Sequence, residues 1–385
     1  MKNKVFLNIL TVALCTVMLV LGNRIATLGT PLQNVGATTV SEEMKVVNII
    51  DDAYENTLYA DYPDARGESI VLFEGEFTKG YKKGTVEKAV QRVDNLYAIE
   101  MRQVEVGDKV VVYRNPDPMI EVDYMFAEFN RVPVLFFFAG LFCLVLLVFG
   151  RWQGFKTLIS LVLTIASIFV VFIPAVLRYG NVYVWSIITC CYIILMTLLI
   201  VIGWTRKSAA AIIGCVSGVV TCGIIVLICD IFLNLTGLVD ENALYLLMLD
   251  AEHPISIKAV VFAAIIIGAV GAVMDVAMDI ASALNEIREQ VPDITKMQMV
   301  KSGFTIGRDI IGTMANTLIL AYIGSSLSVT LLMAAGNPSL LYLFNTEMIV
   351  VELLQAIAGS FGMLMTIPLT SFVCGVLYTG KKEDA

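Results

Sequence analysis

Asp275 and Asp279 stand four residues apart inside an apolar run covering 257–280, so one helical face carries both carboxylates. The next apolar run opens with Arg308 and Asp309, and Thr313 and Asn316 follow at successive turns. Glu352 and Gln355, three apart, form a third polar pair inside the last apolar run. A charge at the centre of a bilayer costs roughly 2.5–3.5 kcal/mol on insertion scales, so such residues usually face a partner, a cavity or an ion path. Ionised together, Asp275 and Asp279 repel, and a proton or a shared cation relieves the repulsion. Arg308 could instead neutralise one of them as a structural pair. Two chemistries therefore stay open: binding of protons or cations along a polar path, and static polar bonding between helices. The candidate transport or cation-binding residues are Asp275, Asp279, Asp309, Asn316, Glu352 and Gln355. Arg308, Asn285 and Glu286 are the candidate counter-charge or gate.

The elements that must position these groups are membrane helices. Apolar residues make up 58% of the 385-residue chain and charged ones 16%. Mean hydropathy is +0.80, far from the soluble mix. A helical span needs about 20 apolar residues, and eight runs qualify: 5–21, 132–150, 157–177, 182–202, 209–229, 257–277, 310–334 and 348–378. Pro174 and Pro368 each remove a backbone donor and predict kinks. The first run, 5–21, is longer than a signal h-region and no A-x-A site follows it, so 1–22 reads as an uncleaved anchor.

Basic residues cluster at alternate connections: Arg151 and Lys156, Arg206 and Lys207, Arg288 to Arg308, and Lys381 and Lys382. With eight spans these share one side with Lys2 and Lys4, which predicts cytoplasmic termini and a short cytoplasmic tail, 381–385. Trp152 and Trp204 lie beside those clusters, as headgroup anchors do. The connection 285–309 is about 25 residues, longer than a turn. It reads as an extension of the preceding helix, a break at Val291-Pro292 and a short amphipathic piece. Gly303 and Gly307 read as hinges. That loop is a candidate gate or a docking surface for a cytoplasmic partner such as an ATPase.

Residues 23–130 are polar and acidic and form an extracytoplasmic domain. The segment 39–59 reads as a helix and 61–68 as a turn-rich link. From about 69, short β-runs at 69–77, 85–92, 98–104 and 109–113 predict a small barrel or sandwich. The fold class is thus a polytopic α-helical membrane protein, with a β-rich domain before a seven-span region, 131–380.

Catalytic signatures are lacking. Gly80 to Thr85 does not match the phosphate-loop spacing, and one histidine, His253, forbids H-E-x-x-H. Eight cysteines sit in or beside apolar runs with no C-x-x-C pair, so neither a metal nor a cofactor is expected. Asp275 and Asp309 lack the surroundings of an intramembrane aspartyl protease, so no enzyme is expected. The acidic balance argues against nucleic acid. The expected partners are the lipid bilayer, a small solute or ion, and a docked protein at 285–309.

Gly268 to Ile287 reads GAVGAVMDVAMDIASALNEI, and Ser302 to Gly324 reads SGFTIGRDIIGTMANTLILAYIG. With Glu352, the run GSFGMLMTIP from Gly359 to Pro368, and Val106-Gly-Asp-Lys109, these segments resemble the YibE/F-like family of bacterial multi-span membrane proteins. The resemblance implies a permease-like architecture in a bacterial plasma membrane and leaves substrate and reaction open. Three functions compete: an ion-coupled transporter, a membrane subunit of a larger complex, and an envelope scaffold without transport.

Overall fold

The computed structural model describes residues 2–28, 41–51, 68–94, 102–115, 122–248, 254–336 and 339–379. The protein is mostly helical and divides into two compact units, Asn34–Val145 and Met1–Gln33 with Leu146–Ala385.

The first unit is a β-barrel. Strands β1 (Ser41–Asp51), β2 (Glu68–Phe77), β3 (Val86–Asp94), β4 (Lys109–Arg114) and β5 (Tyr124–Phe129) close in the order β1-β2-β3-β5-β4. All pairs are antiparallel except β3 with β5, and β1 pairs with both β2 and β4. This is the five-stranded Greek-key barrel of the OB type. Residues two apart point inward: Met44 and Val46, Val71 and Phe73, Val110 and Val112 share one core. The amide of Gln91 is buried and bonded through both its nitrogen and its oxygen. It donates to the Arg102 carbonyl (3.0 Å) and accepts from the Val104 amide (2.8 Å).

Two expectations change here. The predicted helix over 39–59 is strand β1 where it is described, at Ser41–Asp51; residues 52–59 and the link 61–67 lie outside the described residues. Register shifts between Val46 and Asn48 and between Ile49 and Asp51 break the alternation that would have marked a strand. The expected strand over 98–104 is irregular at 102–104, held by Gln91 rather than by a ladder; 98–101 lie outside the described residues. Strand β5, which the sequence pattern did not show, closes the barrel.

The second unit is helical. Its long helices are α1 (Lys2–Ala26), α2 (Val132–Ala166, which begins in the first unit), α4 (Val182–Val201), α5 (Arg206–Leu233), α7 (Ile257–Gln290), α8 (Lys296–Ser325) and α11 (Glu347–Thr379). Shorter pieces are α3 (Ile173–Val176), α6 (Glu241–Met248), α9 (Leu327–Gly336) and α10 (Leu340–Leu343). A π-helical stretch, Ser167–Phe172, precedes α3, whose first turn carries Pro174. Pro368 lies inside α11.

Six described helical stretches are long and apolar enough to cross a membrane. A bent pair, Lys296–Ser325 with Thr330–Gly336 at 69°, makes seven if taken as one span. The expectation of eight separates 132–150 from 157–177. The structure carries Val132–Val176 as one helical stretch broken at Arg151, whose φ of 47° and ψ of −125° are rare for a side-chain-bearing residue.

Helix α11 is the hub: it packs along α5, α7 and α8, while α7 also packs on α4, α5 and α8. Small residues permit this. A methyl on Gly218 would stand 2.7 Å from Val273 and 2.9 Å from the Gly362 carbonyl, besides striking the Thr366 hydroxyl. Gly214 meets Thr370 in the same way. Close backbone approach at glycine is how helices associate where lipid supplies no hydrophobic drive. Cys215 and Cys222 are buried in this contact. Helix α1 attaches at its edge, where Tyr192 donates to the Cys15 carbonyl (3.0 Å) and the Trp204 indole donates to Thr11 (2.8 Å).

Candidate functional site

The sequence-picked polar residues all lie on α7, α8 and α11. Helix α7 has its covered side filled by Ile265, Ile266, Val273, Ile280 and Leu284. Its uncovered side repeats every three or four residues at Ala264, Gly268, Gly271, Asp275 and Asp279, all exposed, and Glu286 is exposed two turns further on. The other long helices of the bundle expose bulk. Helix α11 shows Leu353, Ile357, Phe361, Met365, Leu369 and Phe372. Helix α5 shows Ile213, Val220, Ile224, Leu227, Ile228 and Ile231. Those are faces made for lipid; the α7 face, small and acidic, is not.

Helix α8 continues the polar surface. Arg308, Asp309, Gly312, Thr313, Asn316 and Thr317 are exposed. Two threonine hydroxyls satisfy themselves on their own helix, Thr313 on the Ile310 carbonyl (3.0 Å) and Thr317 on the Thr313 carbonyl (2.8 Å). The bulk of α8 is fixed at its first turns. Gly303 lies against Ser371 and Leu284, and Gly307 against Ile367. These two glycines therefore sit inside one continuous helix as close-packing points on α11 and α7, and the expected hinges are not there.

The segment 285–309 is also not a loop. Helix α7 runs to Gln290 and α8 starts at Lys296, leaving Val291–Thr295 as the connection. Thr295 caps α8 in a reciprocal box with Gln298, and Arg288 donates to the Pro292 carbonyl. Asn285 donates to Glu289 on its own helix (2.8 Å), and Glu286 is exposed. The length that suggested a loop belongs to two helix ends whose polar faces meet water.

One polar contact joins all three helices. The Tyr322 hydroxyl of α8 is hydrogen-bonded to Gln355 of α11, and both meet Gly268 of α7; Glu352, half-buried, is an electrostatic neighbour. Tyr322 was not picked from sequence. The available signal was a lone hydroxyl inside the run Leu318 to Ile323, which must find a partner when buried.

The carboxylates do not form the pairs that sequence suggested. Among the described residues, Asp275, Asp279, Asp309 and Glu352 have no ion pair, and neither has Arg308. Asp275 and Asp279 are electrostatic neighbours. No cluster of histidine, cysteine or acidic side chains that could hold a metal occurs among the described residues. The described cavities lie elsewhere. One of about 470 Å³ is lined by the starts of α4 and α7, including Asn181, Tyr183 and Ser256. An apolar one of about 160 Å³ lies between α4, α5 and α7. Asp275, Asp279 and Asp309 are exposed on the surface of the described chain.

Several long apolar helices, a glycine-packed bundle and a small β-domain define a multi-pass membrane protein. Residues 138–380 match the family described as YibE/F-like protein, and the chain belongs to that family. The match contains every candidate site residue and excludes the barrel, including Val106 to Lys109. No curated protein and no solved structure matches the chain.

Proposed function

We propose that this protein is an ion-coupled transporter of a small solute or ion, with Asp275 and Asp279 of α7 and Asp309 and Asn316 of α8 lining the polar path. The observation that carries the reading is the contrast between faces. Helix α7 leaves alanine, glycine and aspartate uncovered at the positions where α5 and α11 leave leucine, isoleucine and phenylalanine. Carboxylates so placed bind protons or cations, and glycines beside them keep the path open to a hydrated ion. Tyr322 of α8 with Gln355 and Glu352 of α11 form a second polar layer.

The test is thermal unfolding of the purified protein against pH and a panel of cations. A ligand that binds only the folded state adds about 2.7 kcal/mol at a hundredfold excess over Kd. The expected result is a cation- or pH-dependent shift that Asp275→Asn abolishes. An equal shift in wild type and variant sinks the reading.

A further inference from the structure

Asp279 and Arg308 are opposite charges on two helices that pack side by side, and neither has an ion-pair partner among the described residues. They also lie at one depth. Asp279 is eleven residues before α7 ends at Gln290, and Arg308 is twelve after α8 begins at Lys296. At about 1.5 Å per residue, both stand about 17 Å from the turn that joins the helices. Leu284, six residues before α7 ends, meets Gly303, seven after α8 begins, so the two helices run antiparallel and in step near this depth.

We propose that a second copy of this chain covers the α7/α8 face in the membrane, related by a two-fold axis along the bilayer normal, with Asp279 of each copy against Arg308 of the other. Such an axis preserves depth. A residue can therefore pair with a different residue of the second copy only when the two are level, and Asp279 and Arg308 are. The contact is isologous, so one charge pair becomes two. Gly271 lets the α7 backbones approach: a methyl on it meets nothing within 4 Å in the single chain. Lipid fits this face badly, because it would lie against unpaired charges. A different protein would have to supply both signs in register, whereas the same chain already does. The inference stands without transport, and it gives the transport reading what it lacks. Asp275 and Asp309 would then border a space enclosed between two copies instead of an open surface.

The test uses the full chain, co-expressed with two different tags and recovered from membranes in nanodiscs. Wild type is expected to co-purify across tags as a dimer. Asp279→Arg alone places arginine against arginine at both junctions, and Arg308→Asp alone places aspartate against aspartate. Each is expected to lose about tenfold or more of the mixed-tag recovery. Mixing the two variants is expected to restore it, because both junctions of the mixed pair then hold an arginine against an aspartate. Gly271→Leu, whose Cβ would meet nothing within 4 Å in the single chain, is expected to weaken pairing without lowering the unfolding temperature of the monomer. A monomeric wild type, pairing that persists in both single variants, or rescue only when both changes are in the same chain overturns the proposal. The last outcome would mark the pair as internal to one chain. Loss of the dimer with the Asp275-dependent cation shift intact would remove this inference and leave the transport reading standing.

Discussion

Glu347, in the first turn of α11, holds Thr236 by both its amide and its hydroxyl, each at 2.7 Å, and takes a further bond from the Gly237 amide at 2.6 Å. The carboxylate thereby ties the chain leaving α5 to the start of α11. Gly237 is itself confined, with a φ of 85° and the Lys258 amide 2.8 Å from where a methyl would stand. Glu347 stands at the end of an apolar run, a place for solvation or helix capping, and its partners are 110 and 111 residues away.

Replacing Glu347 by Gln keeps the shape but removes the charge behind three hydrogen bonds. Bonds to charged groups contribute about 1.5–3 kcal/mol each, and part of that survives in the amide. A loss of about 2 kcal/mol is expected, read as a lower unfolding temperature of the purified protein. An unchanged transition would mean that the loop is held by other contacts.

Gly218→Leu places a branched side chain where α5 touches Thr366, Val273 and the Gly362 carbonyl. Overpacking of this kind costs about 1–3 kcal/mol, and more where backbone must shift. Gly140→Ala, whose methyl would meet nothing, is the control and should be neutral or slightly stabilising. Comparing the two unfolding curves checks the glycine contact as the reason for the close approach.

In the barrel, the Lys79 ammonium at 2.8 Å holds the Glu43 carboxyl below its ordinary value of 4.5. The Thr78 hydroxyl, also at 2.8 Å, adds to this, and burial opposes it. The folded value is the depressed one. The pair therefore stabilises β1 above about pH 4.5 and loses that contribution as pH falls below it. Glu43→Gln should flatten this acid limb by lowering stability at neutral pH towards the value that the wild type reaches in acid. Amide exchange along β1 between pH 3 and pH 6 (roughly the span of the transition) gives the comparison.

Gln91→Leu keeps the volume of a buried side chain and leaves the Val104 amide without its acceptor and the Arg102 carbonyl without its donor. An unmet buried group costs about 1–3 kcal/mol. The barrel should open at 102–104 first, seen as early amide exchange there, with the helical unit unaffected.

Tyr322→Phe removes the hydroxyl that joins α8 to Gln355 and leaves the ring in place. A neutral hydrogen bond contributes about 0.5–1.5 kcal/mol, so stability should fall little. Should the polar layer serve the proposed path, the cation-dependent shift will fall by more than the stability does. A proportionate fall in both would assign Tyr322 to bonding between helices alone.

The membrane segments were legible because they are local. An apolar run of span length must bond its own backbone where water is absent, whatever its neighbours do. For the same reason α7, α11 and the turn at Val291 followed from run length, proline and helix-ending residues. The residues able to do chemistry were equally plain, since an aspartate in an apolar helix stands out by type alone. Family membership likewise rests on two contiguous stretches, at 268–287 and 302–324, and needs no fold.

Other features depend on partners distant in the chain. Strand β1 exists because β2 and β4 pair with it on both edges, and its register shifts hid the alternation. Gly303 and Gly307 resemble hinges until α11 supplies Ser371 and Ile367, which turn them into packing points. Whether Asp275 meets a core, a lipid or an open surface is decided by which helices cover α7, and coverage is a relation between segments far apart in the chain. Side-chain type is a property of one position, and burial a property of the whole packed bundle. The candidate groups could thus be picked from sequence, while the uncovered acidic face needed the tertiary structure.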